Sequence, residues 1–284
     1  MAWWLLGFLG GAIWAGSHQI RAFEGAAAKD IASQLSGELK SVKVQTRLAG
    51  LGGINGHLSR ATIRASDFSA ESIPFFVDTR RTKRGKLDRL VLELSNFKLR
   101  QLEVAQLVAT IPACRYDLGT AQRRRQFRLS RSGIGEGTVT ITEEALNRFI
   151  LAKYPNIQTC DLHLANGWAT LTGRGKILLF DADFRVHARL TTPDGYQIHL
   201  AEASITLDGK ILEPAAIQSM LKVMNPVIDL NRDLGLEHAM RITKLTIRPG
   251  ELVASGRAQI PLLPSQREFA SKAATQLALG ILAR

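Results

Sequence analysis

From Leu178 to Leu190 every even-numbered residue is apolar: Leu178, Phe180, Ala182, Phe184, Val186, Ala188 and Leu190. From Asp181 onward the odd positions are polar: Asp181, Asp183, Arg185, His187 and Arg189. Successive side chains of a strand point to opposite faces, so this period of two predicts one β-strand with an apolar face and a wet face. Thirteen residues in a single strand, 178–190, would span about 43 Å at roughly 3.3 Å per residue, where five or six residues are usual. A chain holding such a strand has to cover one face of a long sheet and leave the other in water. An antiparallel sheet with helices on one side does this. The turn Pro193-Asp194-Gly195 sends the chain back, and its spacing predicts Leu190 opposite Ile198 and Arg189 opposite His199.

Other segments repeat the pattern. Asn166-Gly167 is a favoured two-residue hairpin turn, which sets Ala165 opposite Trp168, Leu164 opposite Ala169 and Leu162 opposite Leu171. Strands are predicted over 42–48, 56–65, 89–99, 241–248 and 251–260, with a phase slip at Ser95-Asn96 that a bulge would supply. Helical spacing appears in four places. Ile20, Phe23, Ala27, Ile31, Leu35 and Leu39 predict an amphipathic helix over 20–39. Thr142 caps a helix from Glu143 to Lys153, with Leu146, Phe149 and Ile150 on its apolar face and Tyr154-Pro155 ending it. A third opens at Glu213-Pro214, carries Ile217, Leu221, Met224 and Ile228, and is kinked or ended by Pro226. The tail from Gln266 to Ala283 has a fourth stripe. The fold class is therefore α+β: a long, curved, mostly antiparallel sheet wrapped around amphipathic helices. The space between helix and sheet is the natural place for an apolar groove. Its candidate lining is Leu146, Phe149, Ile150, Ile217, Leu221, Met224 and Ile228, residues that could equally fill a closed core.

Ala2 to Ile20 holds no charged side chain if His18 is neutral, and it contains three of the four tryptophans. As a helix it would reach about 28 Å, the thickness of a bilayer's hydrocarbon core. Residues 1–20 are read as a membrane anchor or a signal sequence, 21–265 as the α+β domain, and 266–284 as a C-terminal amphipathic helix. This predicts a chain that is anchored to a membrane or secreted.

The net charge of +12 and pI near 10.2 suggest a nucleic-acid binder until the charge is located. Residues 80–131 hold 14 basic and 4 acidic side chains, and the flanking segments are nearly neutral. Aromatics are 6%, too few for a dense base-stacking surface. No nucleic-acid partner is expected. The charge concentrates in Arg80, Arg81, Lys83, Arg84 and in Arg123, Arg124, Arg125, read as loops between strands. They are either simply solvated or in contact with anionic lipid headgroups, where each basic residue contributes about 1 kcal/mol.

Catalytic signatures are missing: no GxSxG, HExxH, GxxxxGK[ST] or GxGxxG occurs. His163, His187 and His199 fall on polar strand faces and are read as solvated. Asp181 and Asp183 sit beside Arg185 in an ordinary solvated pattern. The sequence predicts no catalytic residue, no metal, no cofactor and no enzyme. Cys114 and Cys160 form either one disulfide, in an extracytoplasmic chain, or two free thiols.

Several runs resemble the LmeA-like phospholipid-binding family, bacterial relatives of the tubular lipid-binding (TULIP) proteins. They are a helix feeding Val42-Lys43-Val44, GHLSRATIRA at 56–65, RLVLELSNFKL at 89–99 and VTITEEALNRFI at 139–150. The last is PVIDLNRDLGLEHAMRITKLTIRPGELVASGRAQI at 226–260. The resemblance implies a TULIP-like sheet wrapped on a helix, an apolar groove for acyl chains, a phospholipid ligand, and membrane-associated binding or transfer at the cell envelope or its periplasmic face rather than catalysis. The alternative function is a non-enzymatic envelope scaffold whose basic loops bind a protein or an anionic polymer.

Overall fold

The computed structural model describes residues 19–50, 55–177 and 180–263. Residues 1–18 of the predicted anchor or signal, and the predicted C-terminal helix, lie outside these residues. The described chain is α+β, built from two sheets and four helices. No helix among the described residues is long and apolar enough to cross a membrane.

Helix α1 (19–32) leads into strands β1 (Ser41–Leu48), β2 (His57–Ala70), β3 (Gly85–Leu99) and β4 (Leu102–Tyr116). Helix α2 (Leu118–Arg124), β5 (Leu129–Arg131) and β6 (Gly135–Thr142) follow, and α3 (Glu143–Lys153) leaves the first sheet. Strands β7 (Ile157–Ala165), β8 (Trp168–Ile177), β9 (Phe180–Thr191), β10 (Gln197–Leu207) and β11 (Lys210–Ile211) make the second sheet. Helix α4 (Pro214–Met224) and β12 (Ile228–Asp229) return the chain to β13 (Met240–Arg248) and β14 (Glu251–Ala258). The first sheet runs β1-β2-β3-β4-β6-β14-β13, with β5 on β4; the second runs β11-β10-β9-β8-β7, with β12 on β10. The alternating strands predict one long sheet, whereas the described residues form two. The first sheet is mixed, because β2 and β3 are parallel. A parallel pair needs a crossover of a dozen or more residues, which residues 71–84 provide.

The hairpin at Asn166-Gly167 forms with the expected register, Ala165 to Trp168, Leu164 to Ala169 and Leu162 to Leu171. The slip at Ser95-Asn96 is a real irregularity shared by two strands. Ser66 faces Ser95 and Phe68 faces Phe97, while Asp67 and Asn96 between them have φ of 57° and 49°. The Phe68 and Phe97 rings stack beyond it, with centroids 5.1 Å apart.

Three expectations are corrected. The long alternating strand is β9, Phe180–Thr191, with residues 178–179 outside the described chain. Its partner register is two residues off: Leu190 faces Leu200, Arg189 faces Ala201, and His199 faces Thr191. Asp194 widens the turn by accepting the N–H groups of Tyr196 and Gln197, and Ile198 is taken by Ile228 of β12. A shift of two keeps every side chain on its face, so the apolar pattern could not discriminate between the registers. Finally, α1 stops at 32, and Leu39 is 84% exposed. Ser36 leaves the helix to exchange both backbone hydrogen bonds with Ser69 of β2, at 2.9 Å each.

Apolar residues of α1, Ala27 and Ile31, join the inner faces of β1 to β4 in one buried cluster. That cluster continues through Leu146 and Phe149 of α3 into Leu162, Leu164 and Ala169 of the second sheet. Gly250 N–H donates to Leu164 O at 3.0 Å, and Ile242 N–H to Gly195 O at 2.8 Å, so the second sheet abuts the β13–β14 edge of the first. Thr142 caps α3 as the sequence predicts, its hydroxyl accepting from Ala145 N–H at 3.2 Å. Thr142→Ala is expected to destabilise the fold by about 1 kcal/mol, read as a lower urea midpoint with unchanged slope.

Candidate functional site

Helices α3 and α4 flank the apolar face of β7 to β10, and between them lies a cavity of about 380 Å³. Its floor is the alternating pattern itself: Leu162, Leu164, Ala169, Leu171, Phe184, Val186, Leu190, Ile198, Leu200, Ile205 and Leu207. Leu146, Phe149 and Ile150 of α3 enclose it, with Met220, Val223 and Met224 of α4, then Val227 and Ile228. Leu252 of the first sheet closes the inner end. Gly173, on the same side of β8, permits this packing. A Cβ there would come within 2.1 Å of Thr159 O and 2.9 Å of the Phe184 ring.

Of the groove candidates, Leu146, Phe149, Ile150, Met224 and Ile228 line the cavity. Ile217 and Leu221 do not. Ile217 packs beside Phe184, Val186 and Ile205, and Leu221 is buried in α4. The floor residues are missing from the sequence-based candidates, although their alternation is visible in the sequence.

The cavity opens where its lining is exposed, at Pro155, Asn156, Lys176 and Val223. Val223 is 86% exposed although it is apolar. Lys176 N–H donates to Asn156 O at 2.7 Å, so three of these residues share the end of β7 and β8 away from the first sheet.

One polar knot holds the roof. Lys153, the last residue of α3, donates to Val227 O at 2.8 Å and to the Asp233 carboxylate. Asp233 also accepts Asp229 N–H at 2.8 Å. Burial pushes the Asp233 pKa up, but the Lys153 hydrogen bond, the Asp229 N–H, the Lys153 charge and the Arg232 hydrogen bond outweigh it and hold the pKa below its ordinary value.

The basic candidates gather elsewhere. Asp117 caps α2, accepting Thr120 N–H at 3.0 Å, and also accepts the Thr82 hydroxyl at 2.9 Å. This joins the crossover carrying Arg80, Arg81, Lys83 and Arg84 to the helix carrying Arg123 and Arg124, with Arg125 just after it. Arg123 and Arg124, expected in a loop between strands, are helical. They occupy the last turn of α2, where cations suit the helix dipole. Arg80 and Arg81 pair with Asp78 at 3.4 and 3.3 Å. Tyr116 anchors this end, its hydroxyl donating to Gly56 O at 2.9 Å, and burial pushes its pKa up to about 12. Gly85 leaves room for that ring, which a Cβ would meet at 2.6 Å.

The remaining candidates for chemistry resolve plainly. Cys114 and Cys160 are free thiols, and burial raises the pKa of each. His187 is not solvated as expected: it stacks on Trp168 at 4.5 Å and bonds Thr170 Oγ1 at 2.8 Å.

These features define an α+β protein that keeps an apolar hollow between a helix pair and a sheet. The sequence profile of the LmeA-like phospholipid-binding family matches residues 83–257, and the chain belongs to that family. No curated protein and no solved structure matches it. The matched span contains every residue that lines the cavity.

Proposed function

We propose that this protein holds the acyl chains of a phospholipid in the cavity between α3, α4 and the second sheet. The observation that carries this reading is an apolar hollow of about 380 Å³ lying wholly within the part of the chain that matches a phospholipid-binding family. Its size falls in the usual range for small-molecule sites, roughly 300–1,000 Å³. It is also more than twice the engineered apolar cavity of about 150 Å³ that stays dry and binds benzene. Each methylene moved from water into such a site contributes about 0.8 kcal/mol, so a few acyl carbons outweigh any single polar contact. The protein binds, and in this reading transfers, lipid at a membrane of the cell envelope, and performs no covalent chemistry. The scaffold alternative expects a closed interior, and the cavity speaks against it.

The test is organic extraction of the purified full-length chain followed by lipid mass spectrometry. Near-stoichiometric phospholipid is expected. A chain that carries no phospholipid, and takes none up from labelled vesicles, would overturn the reading.

A further inference from the structure

The basic end and the cavity are far apart on the fold. Strand β4 measures the separation. Gln106 pairs with Thr140 of β6, next to the Ile141–Leu252 pair whose Leu252 walls the cavity. Tyr116 lies ten residues further along β4, where Gly85 faces it and the basic segments begin. Ten residues of strand are about 33 Å at roughly 3.3 Å each. The cavity then extends from Leu252 into the second sheet, and its exposed rim at Pro155, Asn156 and Lys176 is further still. Arginines at that distance do not touch the headgroup of a lipid seated in the cavity.

The basic end nevertheless has the makings of a surface site. Carboxylates at this end are engaged within the fold: Asp78 by Arg80 and Arg81, Asp117 by Thr82, Thr120 and Arg81, and Asp88 by Lys86 and His57. Lys83, Arg84, Arg123, Arg124 and Arg125 are exposed and make no ion pair among the described residues. Helix α1, which follows the uncharged run 2–20 in sequence, begins at the same end. Phe23 of α1 packs edge-on against Phe127 at 6.4 Å, and Asp30 pairs with Arg128, only a few residues beyond Arg125. Five cations without an ion pair, at the end where α1 begins just after an apolar, Trp-bearing run of sequence, match a bilayer with an apolar interior and phosphate headgroups around it. A nucleic acid would match the cations alone.

We propose that the end of the fold built from residues 80–84 and α2 docks on an anionic lipid bilayer, independently of the cavity, and holds the cavity rim away from that bilayer. The docking half stands on the charge and chain placement alone. The second half rests on the cavity being the lipid site. In this arrangement the protein is a spacer, and a lipid leaving the cavity is presented to a surface other than the one on which the protein is docked.

The experiment uses the full chain and vesicles of phosphatidylglycerol and phosphatidylcholine, with pure phosphatidylcholine as reference. Two variants, Lys83→Gln with Arg84→Gln and Arg123→Gln with Arg124→Gln, each remove two cations. Each pair should weaken binding to the anionic vesicles about 30-fold and leave the extracted lipid content unchanged. The loop pair serves if the helix pair disturbs α2. A fluorophore at Val223→Cys, in a Cys160→Ser background, should escape quenchers buried in the bilayer, while one at Lys83→Cys is quenched. Unchanged vesicle affinity in both variants would overturn the docking surface, as would tighter binding to duplex DNA than to anionic vesicles. Loss of extracted lipid in the charge variants, or quenching at position 223, would overturn the separation. Should the wild type carry no lipid while the charge variants still lose vesicle binding, the cavity reading fails and the docking surface stands.

Discussion

Leu200→Trp combined with Leu207→Trp should leave a folded protein that no longer retains phospholipid. Both leucines are on β10, line the cavity and are only half-buried, so they border open space. Enlarging a side chain in a close-packed core forces strain of about 1–3 kcal/mol. Here two indole rings can grow into a hollow of about 380 Å³, and their packing against Met220 and Val186 offsets the strain. The thermal midpoint should stay level or rise. Lipid binding should suffer in proportion to the methylenes excluded. Displacing four acyl carbons removes about 3 kcal/mol, or roughly 200-fold in affinity. Far-ultraviolet circular dichroism checks the fold, and extraction with mass spectrometry checks the ligand. A double variant that folds normally and still carries wild-type amounts of lipid would place the ligand outside this cavity. Vesicle docking through the basic end should be unaffected, which separates the two sites from the opposite direction.

Much of this site was legible in the sequence, and the reasons for the rest are specific. Phe184, Val186 and Leu190 of the period-two run join the cavity floor because one face of that sheet has to be covered, and alternation reports which face. Thr142 and Glu143 mark the start of α3 because caps are local chemistry. What failed was non-local. Leu39 continues a helical spacing, yet Ser36 pairs with Ser69, some thirty residues away, and ends the helix early. The β9–β10 register depends on Asp194 and on β12, neither of which alternation can see. Strand β4 escapes a sequence reading, since Pro112 interrupts its pattern and proline is disfavoured within sheets. In the fold Pro112 lies beyond the stretch that β6 pairs, Gln106 to Thr110. Missing β4 has a consequence for function. Without it, nothing indicates how far residues 80–84 and α2 lie from α3, and charge and groove read as the two halves of one lipid site.

Asp233→Ala is expected to cost about 3 kcal/mol and to loosen the cavity roof. The Lys153 and Asp233 side chains are only 17% and 11% exposed, so removing the carboxylate leaves an ammonium in a poorly solvated place, with Val227 O and the faces of the Phe149 and Tyr154 rings as its remaining partners. Breaking one side of such a pair costs far more than the pair contributes, typically 3–5 kcal/mol when fully buried. The double replacement Lys153→Met with Asp233→Leu should therefore recover most of the loss, and the coupling in that cycle measures the interaction. The pH dependence has a definite sign. A carboxyl with a folded pKa below its unfolded value, about 3.9, stabilises the fold above that value and stops doing so as pH falls through the folded pKa. Wild type should thus lose stability on acidification below about pH 4 more steeply than Asp233→Ala, which lacks this group. Because Lys153 ties the end of α3 to the segment that follows α4, lipid retention should fall with the same substitution while vesicle docking through the basic end persists. Equal acid sensitivity in wild type and variant, with lipid retained in both, would show that the knot neither titrates nor holds the roof.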